Sequence, residues 1–348
     1  MTTAEQPSTA PGPAPARPIA LITGVGRSIG IGAGIARRMA ASGWDVAFTY
    51  WTPYDRRMAW GAEPGAAASI ADELAGAGAR TAAIEADLTD AEAPARIFDE
   101  VERRLGGQVT ALILSHAESV DSGLLDTTVE AFDRHFTVNA RASWLLIREY
   151  GLRFRGVGGD GVPGGTGDVP GGTGGGVPGG MGDVPGGTED GVPGGMGDVP
   201  GGTEDGVPGG TPDATTGARE GVPGGTPGGP TAASDPAPRP ATGRIVALTS
   251  DHTVGNLPYG ASKGALDRIT LAAAHELAHL GVTANVVNPG PVDTGWMTDG
   301  LREALVRGTP LGRLGTPRDT AHLVDFLCSP QGQWINGQLL KSNGGAAS

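Results

Sequence analysis

Seven short apolar runs recur along the chain: PIALIT (18–23), DVAFTY (45–50), TAAIEA (81–86), VTALIL (109–114), RIVALT (244–249), VTANVV (282–287) and QLLKS (338–342). Each has the length of a strand, and several are apolar throughout, as strands covered on both faces are. Between them lie segments of helical period at 33–42, 66–77, 92–105, 129–154, 259–280 and 318–328. Few architectures accommodate this alternation. Parallel neighbours need a crossover, a helix supplies it, and the result is an α/β doubly wound parallel sheet. Such sheets bind ligands beyond the carboxyl ends of their strands, so the chemistry is expected there.

One segment breaks the alternation. Residues 156–240 contain no Leu, Ile, Phe, Tyr or Trp, and the tetrapeptide VPGG occurs eight times between Val162 and Gly225. Such a stretch buries too little apolar surface to offset its ordering entropy and reads as a disordered, low-complexity insert. It carries eleven acidic residues against Arg219 and Arg239, so −9 of the chain's −13 belongs to it. Without it and the Pro/Ala/Thr-rich tail at 1–17, about 246 residues remain. They make one discontinuous domain, 18–155 and 241–348. The tail lacks the basic start and apolar core of a secretory signal, and no apolar run approaches membrane-spanning length. The single cysteine, Cys328, excludes an internal disulfide and fits a cytoplasmic protein. A net acidic chain without a basic cluster argues against a nucleic-acid partner.

After the first apolar run comes Thr23-Gly24-Val25-Gly26-Arg27-Ser28-Ile29-Gly30-Ile31-Gly32, leading into the helical AGIARRMAA. Glycines there permit a tight turn and let backbone N–H groups and a helix N-terminus approach a pyrophosphate. A second signal is sharper. Tyr259-Gly260-Ala261-Ser262-Lys263 opens the helical segment after the fifth strand. A spacing of four places both side chains on one helix face, where an ammonium draws a phenol's pKa down from about 10. The chain has only two lysines and four tyrosines, so chance gives this spacing about 2% of the time. Ser250, just upstream, offers a hydroxyl to a carbonyl oxygen.

With these residues the chain resembles the short-chain dehydrogenase/reductases, most of all the 3-oxoacyl-carrier-protein reductase-like branch. The likeness covers about 18–155 and 241–345. It includes TG…GIG, Asp87 in EADLTD, Asn139 in FTVNARAS, the Ser250/Tyr259/Lys263 set, NPGPVDTGWM (288–297) and the closing PLGRLGTP…INGQLLKSNGG. The resemblance implies a Rossmann-type fold and a small-molecule carbonyl or alcohol substrate, 3-oxoacyl compounds among them. It also implies a homodimer or homotetramer. Tyr259 would be the general acid/base, and Lys263 would lower its pKa and hold the nicotinamide ribose. Ser250 would orient the carbonyl, and Asn139 would support a proton relay through water. Gly24, Arg27, Gly30, Ile31, Asp87, Leu88, Ala117, Pro289, Gly290 and Thr294 would line the cofactor, with Asp87 on the adenine side.

The sequence departs from the family in three places. Ser115-His116-Ala117-Glu118 stands where the family has Asn-Asn-Ala-Gly, and the Ser250–Tyr259 interval is several residues short. The glycine turn has two extra residues before GIG, a spacing similar to the enoyl-reductase branch, as is AFTY. That branch separates Tyr and Lys by six residues; here three intervene, which favours a carbonyl reductase. A non-catalytic cofactor-binding or interaction protein on this fold is the alternative. The second strand ends Tyr50-Trp51-Thr52-Pro53 with no acid at its tip, while Arg27, Arg56 and Arg57 lie near. Arginines match a 2′-phosphate, so NADP(H) is expected, with NAD left open by Asp55. His275-Glu276-Leu277-Ala278-His279 spells the H-E-x-x-H of zinc proteases. No third ligand follows at typical spacing, and sixteen residues put His275 nearly opposite Tyr259 on the helix, so no metal is expected.

Overall fold

The computed structural model of the chain describes residues 17–156 and 242–346. The expected insert therefore lies outside the described residues except for Gly156, and the expected tail except for Arg17. Arg17 is held in place, donating to the carbonyls of Ala40, Trp44 and Gly78.

Among the described residues seven strands form one sheet: β1 (Ile19–Ile22), β2 (Asp45–Tyr50), β3 (Thr81–Glu85), β4 (Val109–Leu114), β5 (Gly243–Leu248), β6 (Val282–Asn288) and β7 (Leu339–Lys341). The order is β3-β2-β1-β4-β5-β6-β7, and every adjacent pair is parallel. Chain order reverses between β1 and β4, the switch point at which such sheets bind ligands. All seven apolar runs became strands, for a visible reason. Side-chain alternation sends Leu21, Leu112 and Ile245 into one core and Ile22, Ile113 and Val246 into the other. With both faces covered, apolar residues occupy both alternations, and polar ones such as Thr49, Thr110, Thr283 and Asn285 are buried with them.

The first core lies under α4 (Ala93–Leu105), α6 (Ala142–Arg153) and α7 (Leu257–Glu276), with Phe98, Leu146, Tyr150 and Leu266 at its centre. The second lies under α1 (Ile31–Ala41), α3 (Ala66–Gly76) and α9 (Pro317–Cys328), built on Ile35, Met39, Ile70 and Val324. Each such aliphatic side chain contributes about 1.5–3 kcal/mol on burial. α1 and α9 approach so closely that a Cβ on Gly34 would sit 2.7 Å from Pro317 Cβ.

Two helices fall where the sequence suggested none: α2 (Thr52–Arg57) after β2, and α8 (Asp299–Gly308) after β6. The segment read as one helix over 129–154 is α5 (Val129–His135), a π-helix at Phe136–Arg141 and α6. That read as 259–280 starts at Leu257 and ends at Glu276, followed by a 3₁₀ turn at Ala278–Leu280.

The flanks of the repeat sit at the amino edge of the sheet. Gln108, just before β4, accepts from Arg155 N (3.0 Å) and donates to Gly156 O (2.8 Å), and Thr242 N donates to Gly281 O (2.8 Å), just before β6. Tyr259 and Ser250 follow the carboxyl end of β5, the opposite edge. Loop closure entropy changes by only about 0.6 kcal/mol per doubling of length. Replacing Gly156–Pro240 with a short Gly/Ser turn is therefore expected to leave folding and turnover nearly unchanged. Kinetics of that deletion decide it: a large fall in turnover with intact circular dichroism would show that the repeat acts on the site.

Candidate active site

The site grows from the carboxyl ends of β1, β4, β5 and β6. Past β1, Thr23 N still donates to Ile113 O (2.9 Å), and the chain then turns sharply at Gly24, φ +77°. Gly30 is the N-cap of α1 and supplies no side-chain cap, so the helix's first N–H groups remain for an anion. Ile31 begins the helix, half-buried. From the facing loop after β6, Thr294 accepts from the Arg27 guanidinium at its carbonyl (3.0 Å) and hydroxyl (3.4 Å). Arg27 also lies over the Trp60 ring, 4.5 Å from its centroid. Pro289 is buried, and Gly290 (φ +63°) fits against Asn343.

His116, in the first departure from the family pattern, is a hub. Its Nδ1 lies 2.6 Å from Thr23 Oγ1 and its Nε2 3.0 Å from Val138 O. A carbonyl only accepts, so Nε2 carries the proton and Nδ1 accepts from Thr23. Burial, reinforced by the Lys263 charge, pushes the imidazole down to about 3 and keeps it neutral. Ala117 follows, half-buried. Next, Asn139 clasps Glu118 at both backbone groups, accepting from its N–H (2.7 Å) and donating to its carbonyl (2.9 Å). Asn139 also donates to Ser262 Oγ (2.9 Å), tying this wall to α7. The π-helix that carries Asn139 is a device found often at functional sites.

Ser250 lies just past β5, where its Oγ accepts from His252 N (3.1 Å), and it lowers the pKa of Tyr259 on α7, so the short interval still keeps the two side chains within reach. Lys263 is 2% exposed and donates to Leu248 O (3.0 Å) and His116 O (3.4 Å). Its Nζ lies 5.7 Å from the centre of the Tyr259 ring. The spacing predicted a phenol drawn downward by the ammonium. Instead burial pushes Tyr259 up to about 12, opposed in part by Ser250. Burial also brings Lys263 down to about 8.

Ser250, Tyr259, Lys263, Asn139 and Ala117 thus share one wall, and Arg27 and Thr294 meet across the glycine turn. Asp87, which accepts from Thr89 N (2.8 Å), and buried Leu88 stand beyond β3, with β2 between them and β1. α2 adds contacts that sequence reading missed. Arg57 pairs with Glu118 and lies over Tyr54, and buried Asp55 accepts from Trp60 Nε1 (3.0 Å) against Gly26. Asp55 and Arg57 are thereby committed within the protein, whereas Arg56 is exposed with no charged partner among the described residues. The H-E-x-x-H segment is not one helix face: α7 ends at Glu276, whose carbonyl accepts from His279 Nδ1 (2.8 Å). Among the described residues no three His, Cys, Asp or Glu side chains are placed to hold a metal, and no helix is long and apolar enough to cross a membrane.

A doubly wound parallel sheet with a glycine turn after β1 and a tyrosine beside a buried lysine after β5 defines a dinucleotide-type oxidoreductase site. A family model described as enoyl-(acyl carrier protein) reductase matches residues 24–159 and 231–347. The chain belongs to the short-chain dehydrogenase/reductase family and is an oxidoreductase of it. It is 29% identical to the "uncharacterized oxidoreductase YjdA" of Bacillus subtilis (strain 168), over 94% of this chain and 96% of that one. It is 27% identical to the chloroplastic NADPH-dependent aldehyde reductase 2 of Arabidopsis thaliana, over 94% and 93%. Among solved structures it resembles a blue fluorescent protein from a metagenomic library in complex with NADPH. That match has a TM-score of 0.63 and 26% identity, covering 95% of this chain and 98% of the other.

Proposed function

We propose that the protein is an NADP(H)-dependent carbonyl reductase, running in reverse as an alcohol dehydrogenase. The observation that carries this reading is the Tyr259 ring 5.7 Å from the ammonium of buried Lys263, with Ser250 at the end of the neighbouring strand. A carbonyl oxygen placed between the two hydroxyls is held by Ser250 and protonated by Tyr259, whose raised pKa keeps the phenol loaded as a donor. The residues present suit a dinucleotide: a turn too tight for a Cβ at Gly24, open N–H groups in the first turn of α1 and, for a 2′-phosphate, Arg27 and Arg56. When bound, the nicotinamide supplies the hydride to the carbonyl carbon. Lys263 holds the ribose and the positive field behind Tyr259. Asn139 supports proton resupply through the lone pair its carbonyl keeps beyond the bond from Ser143 Oγ (2.8 Å). The relatives' NADPH-dependent names agree with this choice.

The test is a panel of aldehydes, ketones, 3-oxoacyl and enoyl thioesters, followed by NADPH consumption with NADH as control. Turnover of enoyl thioesters alone would favour the activity named by the family model, and no turnover with measurable NADPH binding would favour a non-catalytic protein. Cofactor choice has its own prediction. Arg27→Ala and Arg56→Ala are expected to weaken NADPH binding far more than NADH binding, because only the former offers a phosphate to a guanidinium. Equal losses, or a wild type that prefers NADH, would count against it.

A further inference from the structure

Lys263 is the unusual charge of this fold. It is 2% exposed, and its hydrogen bonds go to two backbone carbonyls, Leu248 O at 3.0 Å and His116 O at 3.4 Å. Carbonyl dipoles alone compensate a buried ammonium poorly. The groups that face it are few. His116, from the loop after β4, is neutral, and Tyr259, one turn earlier on α7, is an un-ionised phenol. One turn later stands Asp267, four residues on and on the same helix face. Asp267 is half-buried, and its Oδ1 is buried with no hydrogen-bond partner. Thr249, next to the Leu248 whose carbonyl takes the ammonium, donates to the Lys263 carbonyl (3.5 Å). A buried ammonium and a carboxylate with an unfilled oxygen thus stand one turn apart on one face of α7. Arg268, the other charge near Asp267, is exposed.

We propose that Asp267 is the counter-charge of Lys263, a positioning residue that keeps the ammonium protonated beneath Tyr259 without itself touching substrate. Its consequence for catalysis rests on the reductase reading; the charge relation does not. Burial lowers Lys263 and Asp267 raises it, and burial raises Asp267 while Lys263 lowers it, as a coupled pair of opposite charges requires. An alcohol dehydrogenase or reductase whose lysine lost its proton near neutral pH would lose the positive field that stabilises a developing phenolate.

The composition makes the test direct, since Lys263 and Lys341 are the only lysines. Full-length protein labelled with ¹³C,¹⁵N-lysine gives two side-chain signals, and Lys341→Arg assigns them. The Lys263 midpoint is expected near 8 in the wild type. In Asp267→Asn it should fall by about one pH unit, and Asp267→Glu should restore it. An unchanged midpoint in Asp267→Asn overturns the proposal. Should that variant fail to fold, reciprocity supplies a second measurement: Lys263→Met must raise the Asp267 carboxyl midpoint, and a carboxyl that stays put overturns the proposal equally. A moved lysine midpoint in a protein that reduces no carbonyl upholds the counter-charge and sinks the reductase reading instead. In an active enzyme, the pH profile of kcat/KM should shift down with the lysine in Asp267→Asn and return in Asp267→Glu.

Discussion

Tyr259→Phe is expected to lower kcat by about 10²–10⁴-fold, about 3–5 kcal/mol of transition-state stabilisation, while NADPH still binds. The substitution removes a single oxygen. The ring stays between the same neighbours on α7, and Ser250 Oγ keeps the bond from His252 N, so no new buried group is orphaned. Ser250 can still hold a carbonyl oxygen, but it brings no proton poised for transfer. The loss therefore falls on the chemical step and shows in kcat rather than in KM. Steady-state kinetics with any substrate from the panel, beside an NADPH fluorescence titration, measure both halves. A phenylalanine variant of near-normal rate would remove Tyr259 from the mechanism, and loss of NADPH binding would reassign it to the cofactor wall.

The central strands were legible because β1, β2, β4, β5 and β6 are buried almost throughout, which makes their runs apolar on both faces. Tyr259 and Lys263 were legible because helix periodicity alone puts them on one face. What escaped the sequence depends on contacts between distant segments. α2 has six residues and little apolar periodicity; it is fixed by Arg57 reaching Glu118, some sixty residues away. The π-helix at Asn139 leaves the apolar pattern of 129–154 almost intact, so periodicity reads one helix. Ser250 shows the same limit from the other side: its interval to Tyr259 is short in sequence, yet it still lies near enough to act on the phenol. The expected downward pull on the Tyr259 phenol failed on a further point. Spacing tells that an ammonium is near, and not how deeply the phenol itself is buried. His116 had a sequence signal, the missing Asn-Asn, but its partners Thr23 and Val138 come from other elements.

Gly24→Ala is expected to cost about 2–5 kcal/mol of stability and to abolish NADPH binding at ordinary concentrations. Two penalties combine there. Gly24 has φ +77°, a conformation that costs an L-residue about 1–2 kcal/mol. Its Cβ would also lie 2.6 Å from His116 Cα, 2.7 Å from His116 N and 2.9 Å from Ser115 C, all backbone atoms that no rotamer change can move aside. Either the turn after β1 or the loop after β4 must shift. The second shift would carry away the His116 carbonyl that Lys263 uses and the ring that braces Thr23 and Val138. Gly43 separates the two penalties: it has φ +93° with nothing within 4 Å of a Cβ, so Gly43→Ala bears only the backbone cost. Thermal melts of the two variants should therefore differ by the overpacking cost alone, roughly 2–12 °C with Gly24→Ala the lower, at about 2–4 °C per kcal/mol for a domain of this size. Titration should find NADPH affinity intact in Gly43→Ala alone. If the two variants melt together and bind alike, the close approach of the glycine turn to His116 is not what holds this site in shape.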